Sequence, residues 1–181
     1  KIAIMQKKNN NFPTPDFEGV LRKLLDDLPR YVEVTAKNFF VDSFNKQGFT
    51  NENFEAWERR NQPDYRPGGA ILTATGALRN SIHTIEANTN NVTIGTYAAY
   101  AKIHNEGGII TLPVTKKMKK YFWYMYKKTQ NEKWKWMALT KKQTLTIKIP
   151  KRQFIGDSKV LMNDLEEWFF KEIEKRIKQS I

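Results

Sequence analysis

The sequence predicts an α+β fold: a small antiparallel sheet flanked by long N-terminal and C-terminal helices, with a basic aromatic excursion. Three observations carry this. Apolar residues recur at three-to-four spacing near both ends of the chain, the pattern of helices buried along one stripe. Between them, Thr144-Leu145-Thr146-Ile147-Lys148-Ile149 alternates strictly, with the period of a half-buried strand. From Lys116 to Arg152, lysines and aromatic rings are interleaved, and Glu132 is the single acid.

Residues 1–16 read as a flexible arm, with Lys7, Lys8 and three asparagines followed by Pro13 and Pro15 and little to bury. Residues 17–181 read as a single domain. Asp16 is placed to cap a helix carrying Val20, Leu21, Leu24, Leu25 and Leu28. Pro29 cannot donate an interior helical bond, so it marks a kink or the first turn of a second helix. That helix runs to about Lys46 through Val32, Ala36, Phe39, Phe40 and Phe44, and Gly48 is expected to end it.

Residues 49–70 look irregular, broken by Asn51, Asn61, Pro63, Asp64, Pro67, Gly68 and Gly69. A loop of this length is expected to serve binding or assembly. Thr75 then precedes a short helical turn carrying Leu78 and Ile82. Residues 81–87 and 91–95 read as a hairpin around Asn88–Asn91, and Tyr97–Asn105 as a short helix stopped at Gly107. Ile109–Val114 and Gln143–Ile149 are strands, and the basic stretch 115–142 between them is an excursion from the sheet. Pro150 closes the last strand, and Asp157 or Ser158 caps a final helix through Val160, Leu161, Leu165, Trp168, Phe169, Ile173 and Ile177. Its last turns carry Lys175, Arg176 and Lys178, the sign the helix dipole favours.

At 181 residues, the chain fits one domain or one domain with an arm. Apolar residues at 40% and aromatic residues at 13% suffice for a packed core. With no cysteine, disulfides, thiolate catalysis and Cys-ligated zinc are excluded. No apolar run approaches the roughly 20 residues that span a bilayer, and the start lacks a signal-peptide pattern. The chain opens on Lys1 and not Met, as a trimmed product does. The window 116–152 holds twelve Lys, one Arg and one acid, a formal +12 that equals the net charge of the whole chain. One basic segment on a neutral body points to a contact face.

Three segments stand out when taken in order: Ile71-Leu72-Thr73-Ala74-Thr75-Gly76-Ala77-Leu78-Arg79-Asn80-Ser81-Ile82, Tyr97-Ala98-Ala99-Tyr100-Ala101-Lys102-Ile103-His104-Asn105-Glu106-Gly107-Gly108, and Ile149-Pro150-Lys151-Arg152-Gln153-Phe154-Ile155-Gly156. Their order and content resemble the phage virion morphogenesis family, the tail-completion and neck proteins of the Mu type. A Phe/Trp-rich stretch ahead of them, with Phe49, Phe54, Trp57, Arg59 and Arg60, is also of the family's kind. The resemblance covers roughly Phe17 to the C-terminus. It implies a structural assembly protein and not an enzyme: a tail-completion or head–tail joining subunit acting as a multi-copy ring. The partners it implies are further copies of itself and phage tail or neck/connector proteins, in a virion assembled in the bacterial host cytoplasm. It marks Trp57, Arg60, Arg79, His104, Asn105 and Arg152 as motif or subunit-contact residues.

Read for chemistry, these residues are spare. His104-Asn105-Glu106 invites a metal-dependent nuclease, but a metal site needs several ligands held together and no HxxH, HExxH or paired-carboxylate spacing accompanies it. His104 is expected to hydrogen-bond within its loop, and His83, in a strand with no visible partner, to be structural. Thr75–Arg79 lacks the Gly-rich signature and the following Lys-Ser/Thr of a phosphate loop. Thr75 should cap a turn while Leu78 and Ile82 pack inward, leaving Arg79 for a carboxylate of the same chain or of a neighbouring copy. Arg152 is read as orienting the chain by pairing with an acid, with Phe154 and Ile155 as its anchors. No catalytic residue, metal or cofactor is expected.

The excursion has competing readings. On a helix, Met118, Phe122 and Met125 share one face and the lysines lie around the other. Lys116, Lys117, Lys119, Lys120, Lys127, Lys128, Lys133 and Lys135 can bind phosphates, and the rings can stack on bases, which makes a DNA- or RNA-binding module the alternative function. The mixture also suits a helix lying on a membrane surface. The favoured reading packs the rings on the sheet, sets contact of the lysines with DNA or an acidic partner evenly against simple solvation, and expects no membrane partner.

Overall fold

The computed structural model describes residues 16–62, 64 and 66–180. The arm expected over residues 1–16 therefore lies outside the described residues except for Asp16.

Helix α1 spans Phe17–Lys46, and Asp16 caps it by accepting from the Gly19 N–H at 2.9 Å. Pro29 sits inside this one continuous helix, so the expected second helix does not begin there. The missing Pro29 N–H removes one helical bond. Packing outweighs that loss: Leu24 is fully buried, and the Tyr31 ring stacks on Trp168 at 3.7 Å. The stop is Gln47 in the left-handed conformation, at φ 57°, and not Gly48. The Gln47 side chain shows why. Its Nε2 donates to the Phe44 carbonyl at 2.7 Å, and its Oε1 accepts from the Ile71 N–H at 2.5 Å.

Gly48 instead opens strand β1 (Gly48–Thr50), which pairs with β2 (Phe54–Ala56) in antiparallel register. The supposedly irregular 49–70 thus begins with a hairpin, its strands of three residues each too short to show an alternation. Helix α2 (Ala77–Asn80) is followed by the hairpin of β3 (Ile82–Ala87) and β4 (Val92–Thr96), as the sequence predicts, with a register irregularity between Thr84 and Glu86. Helix α3 is confined to Ala101–Glu106 and ends at Gly107. Strands β5 (Gly108–Pro113) and β6 (Thr144–Ile149) pair antiparallel, Ile110 opposite Ile147 and Leu112 opposite Leu145. Between them stand α4 (Lys116–Thr129), capped by Thr115, and α5 (Glu132–Ala138), capped by Asn131. Helix α6 (Lys159–Gln179) closes the fold, and of the two candidate caps Ser158 is used.

The fold is thus mixed helix and sheet with long terminal helices, but among the described residues the single expected sheet is three separate two-stranded ones. The β3–β4 hairpin lies on α1, where Thr84 Oγ1 donates to Glu33 at 2.7 Å. Helices α1 and α6 run antiparallel, joined by the Tyr31–Trp168 stack and the Arg176–Asp27 ion pair at 2.8 Å. The main core gathers Ala36, Phe40 and Phe44 of α1 with Phe49, Trp57, Leu78, Ile82, Ala101, Phe154 and Leu161. Phe154 is fully buried, its ring 5.2 Å from that of Phe44.

A second core lies inside the excursion: Phe122, Met125, Trp134 and Ala138, flanked by Met118, Tyr126, Met137 and Leu145. The helix α4 was expected to lay its rings on the sheet. It lays them chiefly on α5, and Leu145 alone represents β6. A two-stranded ribbon is too narrow to cover an amphipathic helix, so the excursion carries its own second helix for that purpose.

Candidate functional site

The three sequence segments meet in space. Leu72, Thr75 and Leu78 from the first, Tyr100 and His104 from the second, and Ile149, Pro150 and Arg152 from the third line one cleft of about 420 Å³, with Arg60 and Asp64 at its side. The cleft exists because the backbone crosses itself closely here. The Arg152 N–H donates to the His104 carbonyl at 2.8 Å. Gly107, at φ 77°, passes so near that a Cβ there would lie 2.8 Å from the Lys151 nitrogen. Only glycine fits both demands.

Arg152 is buried, and its Nε and Nη2 both donate to the Glu58 carbonyl, at 3.0 and 2.9 Å. The sequence expected an acid as its partner; these two bonds go to a main-chain oxygen, which turns the side chain into a clamp on the strand-to-loop junction after Ala56. Asn105 is a second clamp: its Oδ1 accepts from the Phe154 and Ile155 N–H groups at 2.9 and 3.1 Å. Trp57 is a third, buried with its Nε1 donating to the Gln153 carbonyl at 2.7 Å. Arg60 organises the loop that follows. It pairs with Asp64 at 2.9 Å and donates to the carbonyls of Arg66, Gly69 and Ala70. The Arg66 N–H and then Arg60 hold the Asp64 carboxyl below its ordinary pKa.

Arg79 is half-buried, and its Nε reaches Asn80 Oδ1 at 3.5 Å. Gly76, left-handed at φ 72°, holds the cap position of α2, while Thr75 Oγ1 accepts from the Ala77 N–H at 3.3 Å.

His83, read as structural, lies in β3 with its Nδ1 2.9 Å from the Ser81 carbonyl, a partner the sequence did not reveal. His104 does not bond within its loop: its Nδ1 is buried with no partner among the described residues. Burial first, and the Arg152 guanidinium second, push its pKa down, so the ring is held neutral. Among the described residues no three His, Asp or Glu side chains converge as metal ligands would. Leu72 lines the cleft at φ 58°, a left-handed conformation that a branched side chain resists. Neither it nor the Gln47 cap was legible in the sequence, where neither residue type signals positive φ.

The sequence model of the phage virion morphogenesis family matches residues 42–174, from the last turn of α1 into α6. The chain belongs to the phage virion morphogenesis family. No curated protein and no solved structure matches it. The family match takes in all three cleft segments and the whole excursion. For this virion morphogenesis protein, then, the motif residues Trp57, Asn105 and Arg152 serve as internal clamps of the fold.

The lysines lie apart from the cleft. On α4, Lys116, Lys117, Lys120, Lys127 and Lys128 are exposed, and Lys133 is exposed on α5. Lys119 is half-buried and donates to the Thr140 carbonyl at 2.7 Å. Lys135 pairs with Glu132 at 3.1 Å and lies 5.6 Å from the Tyr126 ring centre. The bond from Lys135, and then that from the Tyr126 hydroxyl, hold Glu132 below the usual carboxylate range. None of the described helices is long and apolar enough to cross a membrane.

Proposed function

We propose that this virion morphogenesis protein is a tail-completion or head–tail joining subunit that works as a ring of identical copies and catalyses no reaction. The observation that carries the reading is the family match across residues 42–174. The distribution of surface supports it. Phe17, Leu21, Ile85, Tyr97, Met162 and Phe170 are large apolar side chains left exposed on the body and available for contacts between copies. Rings form when two different faces of each copy meet head to tail, and a body with a separate projecting excursion offers unlike faces. The cleft residues act by shape: each clamp fixes backbone, and none is poised against a reacting group.

Light scattering and negative-stain electron microscopy of the purified chain, alone and mixed with tail or neck proteins of the same phage, test this. Closed rings, or incorporation at the tail end or neck, are expected. A chain that stays monomeric at every concentration and joins neither component refutes it.

A further inference from the structure

We infer that the outward face of α4 is a docking surface for the phosphate backbone of double-stranded DNA. The structure separates three partners that the composition leaves open. A helix lying in a membrane surface needs a free apolar face. In α4 that face is already spent, because Phe122 and Met125 are buried against Trp134 and Ala138 of α5. What remains outward is a stripe of Lys117, Lys120, Tyr124 and Lys127, with Lys116 and Lys128 beside it. These positions recur at three- and four-residue steps, so they share the side opposite Phe122.

The charge on this stripe is unbalanced. On the body, Lys46, Lys159, Lys171, Lys175 and Lys178 each pair with a carboxylate. In the excursion the one acid, Glu132, is taken by Lys135, and the five stripe lysines have no carboxylate partner among the described residues. Five like charges along a helix of about 18 Å between Lys116 and Lys128 repel one another unless an anion of comparable length lies across them. A nucleic-acid backbone is such an anion. An unpaired strand calls for a platform of rings, yet on this face the lysines outnumber the single Tyr124, while Tyr121 and Trp123 sit on the flanks. A stiff duplex met through its phosphates therefore fits best. The inference stands on the excursion alone, so its failure leaves the assembly role untouched, and the reverse holds as well.

The test is fluorescence anisotropy of a labelled 30-base-pair duplex of arbitrary sequence, titrated with the full chain from 50 to 200 mM NaCl. Five phosphate contacts give a slope of log K on log salt of about −4.5, a loss of about 500-fold over that range. The variant Lys117→Gln/Lys120→Gln/Lys127→Gln/Lys128→Gln should retain a slope of about −1. A control with Lys23→Gln, Lys37→Gln and Lys102→Gln on the body should keep the full slope. Circular dichroism of both variants checks their folding, and it should match that of the parent because the substituted lysines are exposed. No duplex binding at 50 mM salt overturns the inference, as does equal loss in both variants. So does tighter binding to the matching single strand, to polyglutamate or to phosphatidylglycerol vesicles, each of which names the competing partner instead.

Discussion

Asn105 Oδ1 accepts from two consecutive main-chain N–H groups, so Asn105→Leu strands both beside the core. The expected cost is about 2–4 kcal/mol in chemical denaturation, the penalty for two donors left without acceptors. Asn105→Asp keeps an acceptor in the same place and should lose much less. Trp57→Phe takes the donor from the Gln153 carbonyl and also leaves a void where the indole packed beside Phe44, for about 2–4 kcal/mol in all. His104 adds a dependence on pH. Its folded pKa lies below that of the unfolded chain, so the unfolded state binds the proton more readily. Stability is then complete above the ordinary histidine range, about 6.5, and falls as the pH drops below it. Melting temperatures measured from pH 7.5 to 5 should decline, and His104→Gln should flatten that part of the decline.

Among the elements, α1 invites a stabilising change. Pro29→Ala restores one helical bond in a helix that already runs through this position, and thermal unfolding should show a gain of about 1–2 kcal/mol. Gly107→Ala should do the opposite, by about 2–4 kcal/mol, since it combines positive φ with a Cβ in contact with main chain. Much of this level could be read from the chain itself. The alternation of Thr144–Ile149 and the stripe from Val160 to Ile177 each repeat a local period often enough to identify their element, and Asn88–Asn91 is marked by its turn-forming residues. What escaped depends on distant partners. Pro29 announces a break that Tyr31 and Trp168 override, and Gln47 caps a helix only because Ile71 comes back to it. The hairpin at 48–56 is too brief for any period to register. The site shows the same division: the motif segments were legible as an ordered set, but that Arg152 grips the Glu58 carbonyl and that His104 is stranded follow from a crossing of backbones with no local signature.

For the whole molecule, the two hydrophobic cores share no residue. The body's is the larger and holds Phe154, fully buried, whereas the excursion's rests on four buried side chains and leaves Trp134 Nε1 without a partner among the described residues. Unequal cores open unequally. Hydrogen exchange followed by mass spectrometry should find the amides of α4 and α5 labelled well before those of Ala36–Phe44. Replacing residues 115–142 by a two-residue Asn-Gly turn between Val114 and Gln143, which are already joined by a 2.8 Å main-chain bond, should leave the body's cooperative unfolding in place.

The route from ribbon to body is short. Strand β6 ends at Ile149, and five residues later the chain reaches Phe154, with Lys151 held against Gly107 and Arg152 bolted to Glu58 along the way. A pull on the lysines of α4 should therefore strip the small helical pair first and meet the body only at this anchored junction, a few residues from its innermost ring.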